Sequence, residues 1–153
     1  MSAATDLMAQ YAAYHRDRRN IATHFVGIPL IVFAVGALLA RPALALGSWL
    51  LTPASVAWAL TTLSYLTRGN LLLGLATSLV NLLLIAAALP LGLLDTTAWL
   101  AWSLGAFVVG WVIQFVGHWY EGKKPAFVDD IIGLLVGPMF VTAEAMFMLG
   151  WNK

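Results

Sequence analysis

Five stretches of this chain, residues 24–40, 45–66, 70–93, 97–118 and 131–150, are nearly bare of charge: the first four contain no Asp, Glu, Lys or Arg, and the fifth only Glu144. A helix needs about 20 apolar residues to cross the hydrocarbon of a bilayer, and each stretch is of that order. With 61% hydrophobic and 10% charged residues, the composition lies outside the range of soluble domains. The expected fold is all-α: an integral membrane helical bundle of about five hydrophobic spans, in one membrane domain over residues 1–153 with the bundle at 24–150. Arg41-Pro42, Thr67-Arg68-Gly69, Asp95 and EGKKPAFVDD separate the spans, and such short connections imply antiparallel neighbours.

Residues 1–22 have another character. Leu7, Met8, Tyr11, Ala12 and Tyr14 recur at helical spacing, which predicts an amphipathic interfacial helix over about 3–19. Its arginines follow the apolar residues, so it does not read as a signal peptide. A net charge of +1 offers nothing to nucleic acid; membrane lipids are the expected surroundings, and a homo-oligomer stays open. The absence of cysteine excludes disulfides and thiolate-bound metals, so any metal must rest on His and carboxylate.

Lys and Arg favour the cytoplasmic side of a membrane. With five spans and the N-terminus inside, Arg16, Arg18, Arg19, Arg68, Lys123 and Lys124 are cytoplasmic, while Arg41 and Lys153 are outside. The same arrangement puts His15 and His24, at the start of the first span, on the face where His118 ends the fourth. All three histidines can then meet on the cytoplasmic face of a bacterial inner membrane or an ER-type membrane.

On one unbroken helix, His15 and His24 would be turned about 900° and separated by roughly 13.5 Å, on opposite sides. A shared ion therefore requires a break between them, and Asn20 suits it, since Asn serves both as N-cap and as left-handed C-terminal residue. Gln114, His118 and Glu121 follow i, i+4, i+7 spacing, one stripe of amide, imidazole and carboxylate. Two histidines from one segment, with a His and a Glu from another, resemble the inward-facing ligand sets of helical metalloproteins. His15, His24, His118 and Glu121 are thus the metal and catalytic candidates, and Asn20, Arg16, Arg19 and Gln114 the substrate-binding ones. Plainer readings stand beside these: single interfacial histidines among headgroups, and arginines serving as topology signals and lipid phosphate contacts. Glu144, about 20 Å into the last span, must be protonated, hydrogen-bonded or paired, through a structural bond or a place at or behind the metal. Asn81 reads as interhelical glue, and Gly27, Pro29, Gly133, Gly137 and Pro138 as packing and kink residues.

YxxYHxxxxNxxxHxxGxPL at Tyr11–Leu30, QFVGHWYEGKKPA at Gln114–Ala126 and GPxFxxxE at Gly137–Glu144 resemble the 2-hydroxy-fatty-acid dioxygenase family, first known as a conserved membrane domain of unknown function. The resemblance covers nearly the whole chain, although the middle spans match only as hydrophobic filler. It implies a membrane enzyme that removes one carbon from long-chain 2-hydroxy fatty acids using Fe²⁺ and O₂. It also implies His15, His24 and His118 as iron ligands, with Glu121, Asn20 and Glu144 in support.

The chemistry of the residues agrees. Imidazole and carboxylate without thiolate, with open positions, suit non-haem Fe(II) that takes both substrate and O₂. A 2-hydroxy acid chelates through carboxylate and hydroxyl, and its conversion with O₂ to the shortened acid, CO₂ and water balances without an outside reductant. The same ligands would serve a zinc-dependent membrane hydrolase acting on a lipid. His118, Glu121 and Glu144 would serve as the relay of a small transporter or proton carrier.

Overall fold

The computed structural model describes residues 6, 9, 12, 13, 15–125 and 132–151. Helices α1 (Arg18–Leu38), α2 (Pro53–Leu66), α3 (Leu71–Ala88), α4 (Thr96–Glu121) and α5 (Gly133–Met148) make up most of it. A short antiparallel hairpin, β1 (Leu44–Leu46) and β2 (Trp49–Leu51), precedes α2, and a 3₁₀ turn, Leu89–Leu93, follows α3. Of the expected interfacial helix, Asp6, Ala9 and Ala12 are helical; Leu7, Met8, Tyr11 and Tyr14 lie outside the described residues.

Local chemistry starts and stops these helices. Asp17, Thr52, Asn70 and Asp95 each accept a backbone N–H of the first turn they precede, satisfying donors that have no partner within the helix. Thr52 and Ser55 do so reciprocally, with Pro53 at the first helical position. Gly122, at φ 68°, ends α4 in the left-handed region that favours glycine.

The closest helix pair is α1 and α4, antiparallel neighbours that approach closely because glycines remove the side chains between them. A Cβ on Gly27 would stand 3.1 Å from Gly110 O, and one on Gly110 would stand 2.7 Å from Ile31 Cγ1. Trp99 Nε1–H donates to Ala37 O at 2.7 Å at the far end of the pair. There Arg41 donates to Gly92 O at 2.8 Å and to Leu94 O and stacks on Trp99, closing the bundle opposite the histidines.

Among the described residues, three helical stretches are long and apolar enough to cross a membrane: Arg18–Leu38, Leu71–Leu93 and Thr96–Glu121. Their outer faces carry exposed side chains such as Leu79 and Val108, 57% and 58% accessible, suited to lipid. The second and fifth stretches differ from the sequence expectation. Residues 45–66 do not form one helix: the hairpin, turned at Gly47 with φ 62°, takes up the first part, and Pro53 begins a 14-residue helix instead of interrupting a longer one.

The fifth stretch does not leave on the far side. Tyr65 Oη, near the end of α2, donates to Leu135 O at 3.0 Å, and Leu134 shares a cavity with Val35, Asn81 and Trp111 in the middle of α1, α3 and α4, so α5 begins inside the bundle. Its last turn, Met146 and Phe147, and the following Trp151 share a small cavity with Asn70 and Leu73, at the start of α3. That start lies at the histidine end, since the 3₁₀ turn after α3 meets Arg41. The 16-residue α5 therefore runs from the middle of the bundle back toward the histidine end. Lys153, expected on the opposite side, lies outside the described residues. The buried cluster of Tyr65, Leu73, Val136, Met139, Phe140 and Ala143 holds α5 in place.

Candidate metal centre

The break demanded by the spacing of His15 and His24 is present, three residues before Asn20. His15 N–H donates to Ala12 O at 3.1 Å, His15 and Arg16 are non-helical, and Asp17 caps α1 with φ −75° and ψ 126°. Asp17 was the readable signal, an N-cap residue just ahead of the apolar run. Its carboxylate accepts Arg19 N–H at 2.8 Å and the Arg19 guanidinium at 2.7 Å. The guanidinium hydrogen bond is the main reason its pKa falls from 3.8 to about 2.

A carboxylate from the other end of the chain fixes this turn. Glu121, the last residue of α4, accepts the Arg16 N–H at 2.9 and 3.0 Å, the Asp17 N–H at 2.8 Å and Asn20 Nδ2–H at 3.1 Å. A negative group is favoured there, because unpaired N–H groups give the start of α1 a partial positive charge. Lys123 Nζ adds a bond to Ala13 O at 2.8 Å. The segment bearing His15 is thus tied to the end of α4, which bears His118.

Within that frame His15, His24 and His118 are all buried, at 4%, 1% and 5% accessibility. Their ring centroids lie 4.3, 5.0 and 5.1 Å apart, every pair near edge-on. One ring nitrogen from each falls within 4.8 Å of the others. His24 Nδ1 lies 2.8 Å from Asn20 O; a carbonyl can only accept, so Nδ1 carries the hydrogen and Nε2 the lone pair. That Nε2 faces His15 Nε2 at 2.8 Å. Two nitrogens bound at right angles to one ion at about 2.1 Å would stand about 3 Å apart, close to this spacing. His118 Nδ1 is buried, and among the described residues it has no hydrogen-bond partner. Three converging ring nitrogens from buried imidazoles are a donor set that fits a metal.

Other predicted residues fall in different places. Both Glu121 oxygens are engaged by N–H groups, and neither belongs to the converging set. Asn20 is buried but spends its amide on Glu121. Arg16 and Arg19 are exposed at the histidine face, not in the cavity; Arg19 is held by Asp17 and lies 4.3 Å from the centre of the Tyr120 ring. Glu144 is half-buried on the returning half of α5 and does not converge with the histidines. Gln114 does reach the site: with His24, Trp111, His118 and Pro138 it lines a cavity of ≈ 70 Å³, and its buried Nε2 has no described partner.

Three contributors were not apparent beforehand. Phe140, from α5, packs its ring 5.2 Å from that of His15. Lys123 braces the preceding turn. At Gly117 a Cβ would stand 2.0 Å from Thr23 Oγ1 and 2.6 Å from Asn20 Oδ1, so only glycine lets α1 and α4 meet there. A glycine beside a histidine motif was the available signal for the last.

Apolar helices long enough to span a bilayer and three buried, converging imidazoles define a helical membrane protein with a site able to hold a metal. Residues 1–149 match the family described as "2-hydroxy-palmitic acid dioxygenase Mpo1-like", and the chain belongs to that Mpo1-like family. It is similar to the 2-hydroxy-palmitic acid dioxygenase MPO1 of Saccharomyces cerevisiae, with 33% identity over 152 residues covering 95% of this chain and 83% of that protein. No solved structure matches it significantly.

Proposed function

We propose that this chain is an Fe(II)-dependent dioxygenase that shortens long-chain 2-hydroxy fatty acids by one carbon, C1 leaving as CO₂. The observation that carries the reading is the burial of three imidazoles around one point, in a chain of the Mpo1-like family. The reaction R–CHOH–COOH + O₂ → R–COOH + CO₂ + H₂O needs no further reductant. Iron, when bound, supplies open positions for a chelating substrate and the one-electron chemistry that O₂ requires. His15, His24 and His118 are the proposed ligands.

The remaining residues prepare the site. Asn20 O fixes the tautomer of His24, which aims a lone pair inward. Glu121 holds the His15 turn and is proposed as a positioning group, not a ligand. Gln114 presents to the cavity an N–H that has no partner among the described residues and that would suit an acidic head. Arg16, Arg18, Arg19 and Lys123 make the histidine face positive and steer an anionic head toward it. Among the described residues only Arg41 puts a Lys or Arg at the opposite end, which favours a cytoplasmic histidine face.

A three-histidine set is also a catalytic zinc site, and this makes a zinc hydrolase the second reading. The transporter reading has less support: the described charged groups gather at the histidine end, with Arg41 and Asp95 at the other, and form no ladder between them. Protein purified without oxygen should contain iron and turn 2-hydroxypalmitate labelled at C1 into labelled CO₂ and a fifteen-carbon acid only when O₂ is admitted. Zinc as the native metal, or turnover without O₂, would remove the assignment.

A further inference from the structure

A second, larger cavity lies beneath the histidine centre. It measures ≈ 310 Å³ and is walled by all five helices. Ile31, Val32, Trp111, Leu134 and Pro138 line both it and the ≈ 70 Å³ cavity that touches His24 and His118. The two cavities are therefore neighbours that share those residues as walls.

The walls are largely apolar, with Asn81 the one amide among them. Tyr65 Oη donates to Leu135 O, Trp58 Nε1 to Ser78 O and Thr61 Oγ1 to Trp58 O. The donors are thus used on backbone carbonyls, leaving rings and methyl groups for an occupant. An engineered, closed apolar cavity of about 150 Å³ holds benzene; this one has about twice that volume and is partly open.

Depth narrows the choice of occupant. Gly36, Leu39, Ala54 and Ile85 form the end toward Arg41, where Ala54 N–H meets Leu39 O at 2.9 Å. Along α1, Gly36 and Leu39 lie about 18 and 22 Å beyond His24 at 1.5 Å per residue. An extended alkyl chain advances about 1.25 Å per carbon, so sixteen carbons reach about 19 Å.

We propose that this chamber is the acyl-chain site: the alkyl tail of the 2-hydroxy acid passes Val32 and Trp111, and its methyl end stops against Ala54 and Ile85, so that the bundle measures chain length. This rests on the reading of the histidine centre as a 2-hydroxy-acid site. Burying each methylene strengthens binding about fourfold. Affinity should therefore rise with length to about sixteen carbons and then level or fall.

The test is a chain-length series of 2-hydroxy acids, from ten to twenty-four carbons, titrated without oxygen by tryptophan fluorescence. Ala57→Phe, which fills the chamber, should move the break in the series to shorter acids by about three carbons. Ile85→Ala, which deepens the floor, should move it to longer ones, a gain that misfolding does not produce. A 2-hydroxy acid carrying a diazirine at its tail should label residues within 31–39, 54–61 or 85. Binding and labelling of this kind without oxygen-dependent shortening would keep the acyl site and remove the dioxygenase reading. Shortening by the protein with label only on lipid-facing Leu79 or Val108, and no movement of the break in either variant, would overturn the chamber proposal alone.

Discussion

The carboxylate of Glu121 accepts the backbone N–H of Asp17 at 2.8 Å across 104 residues of sequence. With the Arg16 and Asn20 bonds it makes, it joins the end of α4 to the start of α1, the two elements that carry His118 and His24. Glu121→Gln should show what this clamp contributes. The amide turns an N–H₂ group toward backbone donors, losing charge-assisted bonds of about 1.5–3 kcal/mol each in favourable cases. Because the histidine ligands remain, metal should still bind, with affinity or turnover lowered roughly 10–100-fold. Loss of nearly all metal in a folded Glu121→Gln protein would make the carboxylate a ligand.

Gly117→Ala tests the approach of the same two helices. Its Cβ would stand 2.0 Å from Thr23 Oγ1 and 3.1 Å from Thr23 Cβ, so α1 must move or Thr23 must turn. Overpacking of this kind costs about 1–3 kcal/mol, and each kcal/mol lowers the unfolding midpoint of a chain this size by about 2–4 °C. Thermal unfolding in detergent and metal titration should both worsen. An unchanged midpoint with full metal binding would show that the helices have slack at this crossing.

The histidine constellation was legible because imidazole is scarce here and the nine-residue spacing forces a break whenever two histidines share an ion. Locating the break was harder, since Asp17 and Asn20 are both capable caps; Glu121 decided between them through a contact that no local pattern encodes. The hairpin at Leu44–Leu51 was hidden because LALGSWLL is apolar on both faces, without the alternation that marks a half-buried strand. Hydropathy likewise reports that 131–150 avoids water, but not its direction. That direction comes from Tyr65 and Leu73, and it also changes the reading of Glu144. On a crossing helix this carboxylate would lie deep in hydrocarbon and need a partner, whereas on a returning one it sits in the half leading back to the histidine face.

A topology experiment follows from α5. Reporters placed within Gly122–Pro125 and after the C-terminus should sit on the same side of the membrane, as should one at Arg68, while a reporter at Gly47 should sit on the other. Opposite sides for Gly122–Pro125 and the C-terminus would mean that α5 crosses.

Asp17 sets a pH signature at the start of α1. Its folded pKa, about 2, lies below the ordinary 3.8 because of the Arg19 hydrogen bond, so its contribution is fully present above about pH 4 and is lost as pH falls through 2. Between pH 5 and 8 the difference in unfolding midpoint between the wild type and Asp17→Ala should stay constant, and it should shrink only below pH 4. A difference that changed near neutrality would place the relevant titration in another group.

Replacing His15, His24 or His118 by Ala should each remove bound metal and abolish shortening of 2-hydroxypalmitate, because each supplies one of three converging nitrogens. Helical content should survive: the rings gather at one end of the bundle and meet the cluster that holds α5 only at Phe140, beside His15. The three variants should also fail alike, since two imidazoles keep too little affinity to hold the ion in a purification. Fe²⁺ returned to the chelated wild type should restore activity, and Zn²⁺ should restore binding without it, having no redox chemistry for O₂. A His15→Ala protein that kept stoichiometric iron would remove His15 from the ligand set, and its 2.8 Å contact with His24 would then be an ordinary hydrogen bond between a donor and an acceptor imidazole.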